Sequence, residues 1–316
     1  MKKPLLILTG PTAVGKTRLS IKLAKAVNGE IISADSMQVY RYMDIGSAKI
    51  KPEETEGVLH HLIDVLDPEE EFNVVTFQKM CKQCMEEIYG RGHIPILTGG
   101  TGFYIQSVLY DIDFMENAED TSIRDRLEKE AKEKGAEYLH QKLREVDLAS
   151  AEAIHANNIK RVIRALEFYE QTGEKISLHN ETERQKESAY ASCYFVLNDD
   201  REKLYERIDR RVDEMLAEGL VAEVEALKKR GCTRNLVSMQ GLGYKEILAY
   251  LDGEYSLEEA VYRIKRDTRH FAKRQITWFK REKEVIWINK PDFSYDDGKI
   301  LDFMKKEMEA KGITGK

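Results

Sequence analysis

A phosphate-binding motif stands near the start of the chain, with the pattern G-x-x-x-x-G-K-T. It consists of Gly10, Pro11, Thr12, Ala13, Val14, Gly15, Lys16 and Thr17. The apolar run Leu5–Leu8 precedes the motif and the amphipathic segment Lys16–Val27 follows it, which is the strand–loop–helix context typical of a P-loop. There, backbone N–H groups and the helix N-terminus bind phosphate oxygens, the lysine adds charge, and the threonine hydroxyl can ligate Mg²⁺. The motif predicts a bound di- or triphosphate, but neither a nucleotide nor its hydrolysis.

Two more candidate residues follow predicted strands. Asp35 ends the strand predicted over Glu30–Ala34, where a carboxylate could accept a proton, hold a metal ion or only cap a helix. The strand predicted over His93–Thr98 ends in Gly99-Gly100-Thr101-Gly102, whereas a nucleotide hydrolase usually has a Mg²⁺-holding aspartate at such a position. The glycines either bring Thr101 close to an anion or simply form a tight turn before a helix.

Gln38 follows Asp35 in the segment Asp35-Ser36-Met37-Gln38-Val39-Tyr40. Its side-chain amide both donates and accepts hydrogen bonds, as reading the edge of a nucleic-acid base requires. A surface amide without such a role is an equally good interpretation of this position. The segment therefore suggests a base-binding site without establishing one.

Three groups of cations could bind a phosphodiester backbone. Arg161 and Arg164 share one face of a predicted helix, as do Arg207 and Arg211. Each pair is also typical of a solvated face or of pairing with neighbouring carboxylates. The third group is a basic stripe over 263–283, with nine cations against two acidic residues. In an acidic protein, such a stripe is compatible with contact to RNA. Its predicted buried face carries Ile264, Phe271 and Trp278.

Strands and helices alternate at the start of the chain, which predicts an α/β fold class with a P-loop NTPase-like parallel sheet flanked by helices. We assign residues 1–117 and 187–316 to this core with its C-terminal helices, and residues 118–186 to an inserted helical domain. Further helices are predicted over Val74–Tyr89, Phe103–Leu109, Thr121–Leu143, Ala149–Thr172, Arg201–Lys229, Tyr244–Tyr250 and Leu257–Lys283. Further strands are predicted over Lys3–Thr9, Ala189–Leu197 and Val285–Asn289, and a short extended segment over His60–Val65.

Composition narrows the class of protein. The apolar fraction of 42% supports a real core, and the net charge of −6 argues against a surface that is basic throughout. No apolar run approaches the roughly 20 residues that a membrane span needs, so a cytoplasmic protein is expected. Of the four cysteines, Cys81 and Cys84 form a C-x-x-C, but no second pair accompanies it at zinc spacing. We therefore predict reduced thiols.

In order and spacing, these motifs resemble one family, the tRNA dimethylallyltransferases, also called tRNA isopentenyltransferases. The resemblance covers most of the chain and rests on Gly10–Thr17, Asp35–Tyr40, His60 with Leu62, Asp64, Asp67 and Pro68, Arg91-Gly92 before Pro95-Ile96, Gly99–Gly102, Arg161–Glu167, Arg207 and Arg211 with Met215, and Gly243-Tyr244-Lys245. The zinc finger that some eukaryotic members carry at the C-terminus is absent, so we expect a bacterial type.

The resemblance implies a reaction. The family transfers a dimethylallyl group from dimethylallyl diphosphate to N6 of adenosine 37, adjacent to the anticodon on its 3′ side, in tRNAs that read codons beginning with U. Asp35 would be the general base, with Lys16 and Thr101 also catalytic and Thr17 the ligand of Mg²⁺. The implied diphosphate-binding residues are Gly10–Thr17, Arg207 and Arg211. The implied tRNA-binding residues are Asp35, Ser36, Met37, Gln38, Thr101, Arg124, Lys160, Arg161, Arg164, Gly243, Tyr244 and Lys245.

Other functions are weaker but distinct. An isopentenyltransferase acting on free AMP, ADP or ATP would share the chemistry, but it would not need the insertion or the basic helix. A P-loop small-molecule kinase or NTPase would need the aspartate that is missing before Gly99. A non-catalytic RNA-binding protein would not need Lys16, Thr17 and Asp35 together. The expected partners are the tRNA anticodon stem-loop and dimethylallyl diphosphate, with no membrane and no obligate protein partner.

Overall fold

The computed structural model describes residues 2–114 and 121–313. In this part of the chain, six strands form one sheet in the order β3-β2-β4-β1-β5-β6, and all neighbouring strands are parallel. The strands are β1 (Pro4–Thr9), β2 (Gly29–Ser33), β3 (His60–His61), β4 (Ile94–Gly99), β5 (Ala191–Asn198) and β6 (Val285–Asn289). The central strands are almost continuously apolar because helices cover both faces of a parallel sheet. The predicted fold class is therefore confirmed.

The described ranges contain thirteen α-helices. They are α1 (Lys16–Val27), α2 (Val74–Gly90), α3 (Gly102–Leu109), α4 (Ser122–Lys134), α5 (Ala136–Val146), α6 (Leu148–Ala153), α7 (Ile159–Thr172), α8 (Ile176–Gln185), α9 (Arg201–Glu218), α10 (Leu220–Lys229), α11 (Tyr244–Leu251), α12 (Leu257–Phe279) and α13 (Asp297–Ala310). None of them is long and apolar enough to cross a membrane. The four cysteines carry no disulfide.

Two compact units make up the chain: Met1–Leu109 with Ala189–Lys316, and Tyr110–Ser188. The first contains the sheet. The second consists of α4–α8 and has its own core, built from residues such as Leu127, Leu143 and Leu166. The predicted start of the insertion at residue 118 lies outside the described residues, so the domain limits stay a prediction.

Several helix predictions were wrong in their limits. Two long predicted helices are each divided at a glycine, Gly135 and Gly219, which adopts a positive φ of 88° and 107°. Such a backbone conformation ends a right-handed helix and is favourable only for glycine. The predicted helix Ala149–Thr172 is likewise divided, into α6 and α7. Helices α8 and α13 were not predicted at all.

The buried face of α12 also differs from the prediction. Its buried residues are Ala260, Ile264, Ala272, Gln275 and Phe279, whereas Phe271 and Trp278 are only half-buried. Seven residues fall short of two full helical turns by about 20°, so a strict spacing of seven drifts away from the core along a straight helix. The polar Gln275 instead occupies a core position.

Parallel pairing places the candidate residues at one edge of the sheet. Thr9 of β1 pairs with Gly99 of β4, and Ser33 of β2 pairs with Thr98 of β4, so all three strands end together. The Thr9 hydroxyl also donates to the Gly99 carbonyl at 2.6 Å. The P-loop, Asp35 and the glycine turn therefore leave the sheet side by side, as ligand-binding loops do in open α/β folds.

Candidate active site

The loop between β1 and α1 has the backbone of an anion cradle. Gly10, Ala13 and Gly15 all adopt positive φ, at 145°, 61° and 96°. A Cβ atom on Gly10 would lie 2.4 Å from the Leu197 carbonyl oxygen, so only glycine fits beneath this turn. Alternation of left-handed and right-handed residues turns successive N–H groups toward one side of a loop, where they bind an anion.

Lys16 lies across this loop. Its ammonium group donates to the carbonyl oxygens of Gly10 and Pro11, at 3.0 and 2.9 Å. Burial lowers the pKa of Lys16 to about 8; the nearby Asp35 carboxylate opposes that shift, and the Arg211 guanidinium adds to it. A diphosphate would favour the charged form, so a bound anion would keep Lys16 protonated up to a higher pH than in the anion-free site.

Two more cations hold the outer carbonyl groups of the loop. Arg207 donates from Nε to the Ala13 carbonyl at 3.0 Å, and its other arm pairs with the buried Asp199 carboxylate at 2.5 Å. Lys290, which is buried, donates to the Val14 carbonyl at 3.2 Å. Cations on the outward carbonyl groups stabilise the loop shape in which the amide groups point inward.

Arg211 differs from Arg207. It is half-buried and makes no hydrogen bond or ion pair with any residue that the structure describes. Burial lowers its pKa, and the charge of Asp35 opposes that shift. Asp209, one of the carboxylates near it in the sequence, pairs instead with Arg269 of α12, at 2.5 Å. Arg211 is thus a cation near Asp35 that remains available to an anionic ligand.

The two carboxylate oxygens of Asp35 differ in their hydrogen bonding. Oδ1 accepts hydrogen bonds from the backbone of Met37 at 2.8 Å and of Gln38 at 3.4 Å, so it closes a turn. Oδ2 has no hydrogen-bond partner within the described ranges. The Thr101 amide donates to the Ala34 carbonyl at 3.2 Å and so keeps the glycine turn beside Asp35. This geometry leaves a carboxylate oxygen for a proton from a ligand.

Gln38 has no amide atom to spare. Its Oε1 accepts from the Ser33 hydroxyl at 3.0 Å, and its Nε2 donates to the carbonyl groups of Ser47 and Ala48, at 3.3 Å each. Reading a base edge would require breaking at least one of these bonds. In this structure, Gln38 instead ties the end of β2 to the loop that follows Asp35.

A clamp from the C-terminal helices holds that same loop. The Glu223 carboxylate accepts from the backbone N–H groups of residues 44–46, at 2.8 to 3.1 Å. The Tyr244 hydroxyl donates to Glu223 at 2.7 Å and accepts from the Ser47 amide at 3.1 Å. Tyr244 is completely buried, so its side chain offers no surface to RNA. In the Gly243-Tyr244-Lys245 motif, Gly243 is the N-cap residue of α11 and Lys245 is partly exposed.

In the helical unit, the candidate cations fall into two kinds. Arg124 and Arg164 both donate to the buried carboxylate of Glu167, at 3.0 and 3.2 Å. Lys160 and Arg161 are exposed and form no ion pair with any described residue. An RNA phosphate would therefore meet Lys160 and Arg161 directly, and would have to share the other two with Glu167.

The cations of the basic stripe over 263–283 also fall into two groups, according to whether they form ion pairs. In its first half, Arg263, Lys265, Arg266 and Arg269 each pair with a carboxylate, at 2.5 to 2.8 Å. In the second half of the stripe, Lys273, Arg274, Lys280 and Arg281 form no ion pair with any described residue, and this segment borders a groove of about 470 Å³. That groove is lined by His270, Lys273, Arg274, Thr277, Trp278 and Arg281. This end of α12 lies next to the glycine turn, because Phe103, which follows that turn in α3, packs edge-on against Trp278.

Comparison with known proteins gives the family. The model of the IPP transferase family matches residues 38–282, and that of isopentenyl transferase matches residues 3–67. A protein named tRNA dimethylallyltransferase from Lachnoclostridium phytofermentans is 63% identical over 311 residues, covering 98% of this chain and 99% of that protein. The chain belongs to the tRNA dimethylallyltransferase family.

Two solved structures agree with this family. The tRNA isopentenylpyrophosphate transferase of Bacillus halodurans is 44% identical, with a TM-score of 0.74 over 99% of this chain and 98% of that one. A eukaryotic dimethylallyltransferase acting on tRNA is 30% identical, with a TM-score of 0.84 over 99% of this chain and 81% of that one. The chain is thus a prenyltransferase, as its motifs predicted. The alternatives of a free-adenylate enzyme or a kinase receive no support.

Three residues that hydrogen-bond to the loops of the site were not among the candidates predicted from the sequence: Glu223, Gln275 and Lys290. Gln275 carries a detectable signal, because it follows Phe271 by four positions in an apolar helical pattern and is polar. Glu223 and Lys290 carry none. The loop atoms that they hold lie 177 to 179 residues away and 276 residues away along the chain, and these are backbone atoms, which leave no signal in the sequence.

Proposed function

We propose that the chain transfers the dimethylallyl group of dimethylallyl diphosphate to N6 of adenosine 37 in tRNAs that read codons beginning with U, giving N6-(dimethylallyl)adenosine. One observation carries the proposal: the charges of Lys16 and Arg211 interact with a carboxylate, Asp35, whose Oδ2 has no hydrogen-bond partner among the described residues. A kinase or hydrolase usually has a Mg²⁺-holding aspartate at the end of β4, where this chain has Thr98 and Gly99. A prenyl transfer needs a site that binds the leaving diphosphate and a base that accepts a proton from the nucleophile.

The leaving group is stabilised by the P-loop. As the bond between the allylic carbon and the diphosphate oxygen breaks, its electron pair moves to that oxygen and positive charge develops on the carbon. Lys16, the loop residues Gly10–Thr17, Arg211 and the Thr101 hydroxyl oppose the charge on diphosphate. Arg207 contributes indirectly, through its hydrogen bond to the loop carbonyl of Ala13.

Asp35 acts on the nucleophile. The adenine N6 is a poor nucleophile because its lone pair is delocalised into the ring. As N6 bonds to the allylic carbon, one N6 proton passes to Oδ2 of Asp35 and leaves neutral substituted adenosine. Oδ1 stays bonded to the Met37 amide and fixes the orientation of the carboxylate.

The oxygen donors around Thr17 fit Mg²⁺. A small cavity of about 30 Å³ is lined by Thr17, Ser20, Ser33, Gln38 and Thr98 among others. The Thr98 hydroxyl is buried and has no hydrogen-bond partner in the part of the chain that the structure describes. Within the described ranges, no group of three or more His, Cys, Asp or Glu residues is placed to hold a metal. Thr17 would hold the ion together with diphosphate and water oxygens, as Mg²⁺ prefers. When bound, it neutralises developing negative charge on diphosphate.

For the tRNA, we propose contacts to the anticodon stem-loop. The base must leave its stack to reach Asp35, which is easier in a single-stranded loop than in a duplex. Ser36 and Met37 border the base site, and Lys160, Arg161 and Lys245 offer exposed or partly exposed charge. The groove at the end of α12 offers further phosphate contacts. A tRNA substrate also suggests a cytoplasmic location.

Radiolabelled dimethylallyl diphosphate separates this function from its competitors. The protein is incubated with Mg²⁺, the labelled donor and either unmodified tRNA or AMP. We expect label in tRNA at the adenosine 3′ to the anticodon and none in AMP. Label in AMP alone would establish the free-adenylate function, and ATP consumption without either transfer would establish a kinase or NTPase.

A further inference from the structure

Gln275 joins two loops of the site. Its Oε1 accepts a hydrogen bond from the Thr12 amide of the P-loop at 2.9 Å, and its Nε2 donates to the Gly100 carbonyl at 3.0 Å. The side chain is buried, with the residue 6% exposed. Of the described side chains, only this one hydrogen-bonds to both loops.

The glycine turn is shaped around this amide. A Cβ atom on Gly100 would lie 2.1 Å from Gln275 Nε2 and 3.9 Å from the Gly10 carbonyl oxygen. Gly100 therefore has no room for a side chain while Gln275 occupies its place. The P-loop and the turn approach each other closely at this point, just beyond the paired ends of β1 and β4.

The use of Thr12 is informative. P-loop amides ordinarily point at an anion, yet the Thr12 amide is donated to a protein side chain. The hydrogen bond from the Thr12 amide to Gln275 therefore fixes the position of the P-loop relative to Thr101. Both loops bind the same diphosphate in the proposed reaction, so their separation determines whether both reach it.

We propose that Gln275 is a positioning residue of the diphosphate site, which sets the distance between the P-loop and the turn that carries Thr101. The inference rests on the proposed function. Gln275 does not contact RNA, because it points inward from α12 whereas Lys273 and Arg274 are exposed. It touches neither reacting atom and acts through the two loops.

The test measures binding of inorganic diphosphate with Mg²⁺ by calorimetry, and of tRNA by filter binding, for the full-length protein and Gln275→Met. Methionine fills the same space but forms neither hydrogen bond. We expect diphosphate affinity to fall at least tenfold and tRNA affinity to stay within twofold. Gln83→Met is the matched control on the exposed surface of α2, and it should change neither.

Several outcomes would overturn the proposal. Diphosphate affinity within twofold of the wild type would do so, as would an equal loss of tRNA affinity. If Gln275→Met does not fold, Gln275→Glu decides, because it keeps an acceptor for Thr12 but presents an oxygen to the Gly100 carbonyl. A folded Gln275→Glu with normal diphosphate affinity contradicts the role, and a selective loss supports it. Wild-type protein that binds no diphosphate would instead refute the proposed function.

Discussion

The Tyr244 hydroxyl donates a hydrogen bond to Glu223 at 2.7 Å, and this pair holds the loop that follows Asp35. Glu223 accepts three backbone N–H groups from residues 44–46, and the same loop offers two carbonyl groups to Gln38. Helices near the C-terminus therefore support the segment next to the proposed base. A tyrosine that the family motif suggested as an RNA contact has a structural task in this chain.

Tyr244→Phe tests that task. The substitution removes the hydrogen bonds to Glu223 and Ser47, so we expect the free energy of unfolding to fall by about 1–2 kcal/mol. We also expect kcat to fall while tRNA affinity is retained. Chemical denaturation and steady-state kinetics measure the two effects, and Tyr262→Phe, at a position 56% exposed, is the control. Lost tRNA affinity at unchanged stability would make Tyr244 an RNA contact after all.

Asp35→Asn separates the role of Asp35 as a general base from its role in closing the turn. Asparagine keeps an oxygen to accept from the Met37 amide but cannot take a proton from N6, so the local structure should persist. We expect kcat to fall by roughly 10²-fold or more, with tRNA affinity and the melting temperature close to the wild type. Single-turnover transfer of labelled dimethylallyl to tRNA measures the change. Full activity would exclude Asp35 as the base.

The depressed pKa of Lys16 predicts a pH dependence. Below about pH 8 the amine is protonated and binds diphosphate without taking up a proton. Above that value it is neutral in the anion-free site, so binding must draw a proton from solution and affinity falls up to tenfold per pH unit. Calorimetry between pH 6.5 and 9.5 measures this slope. Lys16→Met has no amine to titrate, so its diphosphate affinity should vary with pH only through the ionisation of the diphosphate itself. An identical pH slope in both proteins would contradict the prediction.

Replacing Arg207 and replacing Arg211 should have different effects, the first on stability and the second on diphosphate binding. Arg207→Met leaves the completely buried Asp199 side chain without its ion pair, so we expect the free energy of unfolding to fall by about 3 kcal/mol. Arg211→Met breaks no bond to a described residue and should leave stability nearly unchanged. It should weaken diphosphate binding about tenfold or more, as loss of a charged hydrogen bond does. The reverse pattern, in which Arg211→Met lowers stability and Arg207→Met does not, would contradict both predictions.

Salt dependence tests the divided stripe of α12. Arg274 forms no ion pair with any residue in the described ranges, whereas Arg266 pairs with Asp267 at 2.8 Å. We expect Arg274→Ala to reduce the slope of log Kd for tRNA against log salt by about 0.7, the value for one phosphate of a single strand. Arg266→Ala should change it much less. Equal changes would mean that RNA recruits both halves of the helix.

Prediction from sequence was strongest where the signal is local. The P-loop helix is found over Lys16–Val27, as its periodicity indicates, and the loop–helix context of the motif needs only adjacent residues. Errors arose where one glycine decides between continuing and ending a helix, as at Gly135 and Gly219. A glycine in a helical pattern is compatible with both outcomes until packing selects the backbone conformation.

The assignment of individual cations is harder, because it depends on distant partners. Arg207 and Arg211 have the same type and sit one helical turn apart, yet one is bound to Ala13 and Asp199 and the other is not. Because the two side chains leave α9 one turn apart, only Arg207 reaches the Ala13 carbonyl and the Asp199 carboxylate. The sequence pattern alone treats them as equivalent.

By itself, the sequence determined the phosphate-binding loop, the alternation of strands and helices, the position of Asp35 at a strand end and the family. Each of these depends on motifs or periodic patterns that are local, in that the residues within each one are close together in the chain. Only the tertiary structure decided that Gln38 and Tyr244 are committed to internal hydrogen bonds, that Arg211 remains available, and that Gln275 links the two loops. These facts depend on contacts between segments up to 263 residues apart, which form only when the helices pack against the sheet.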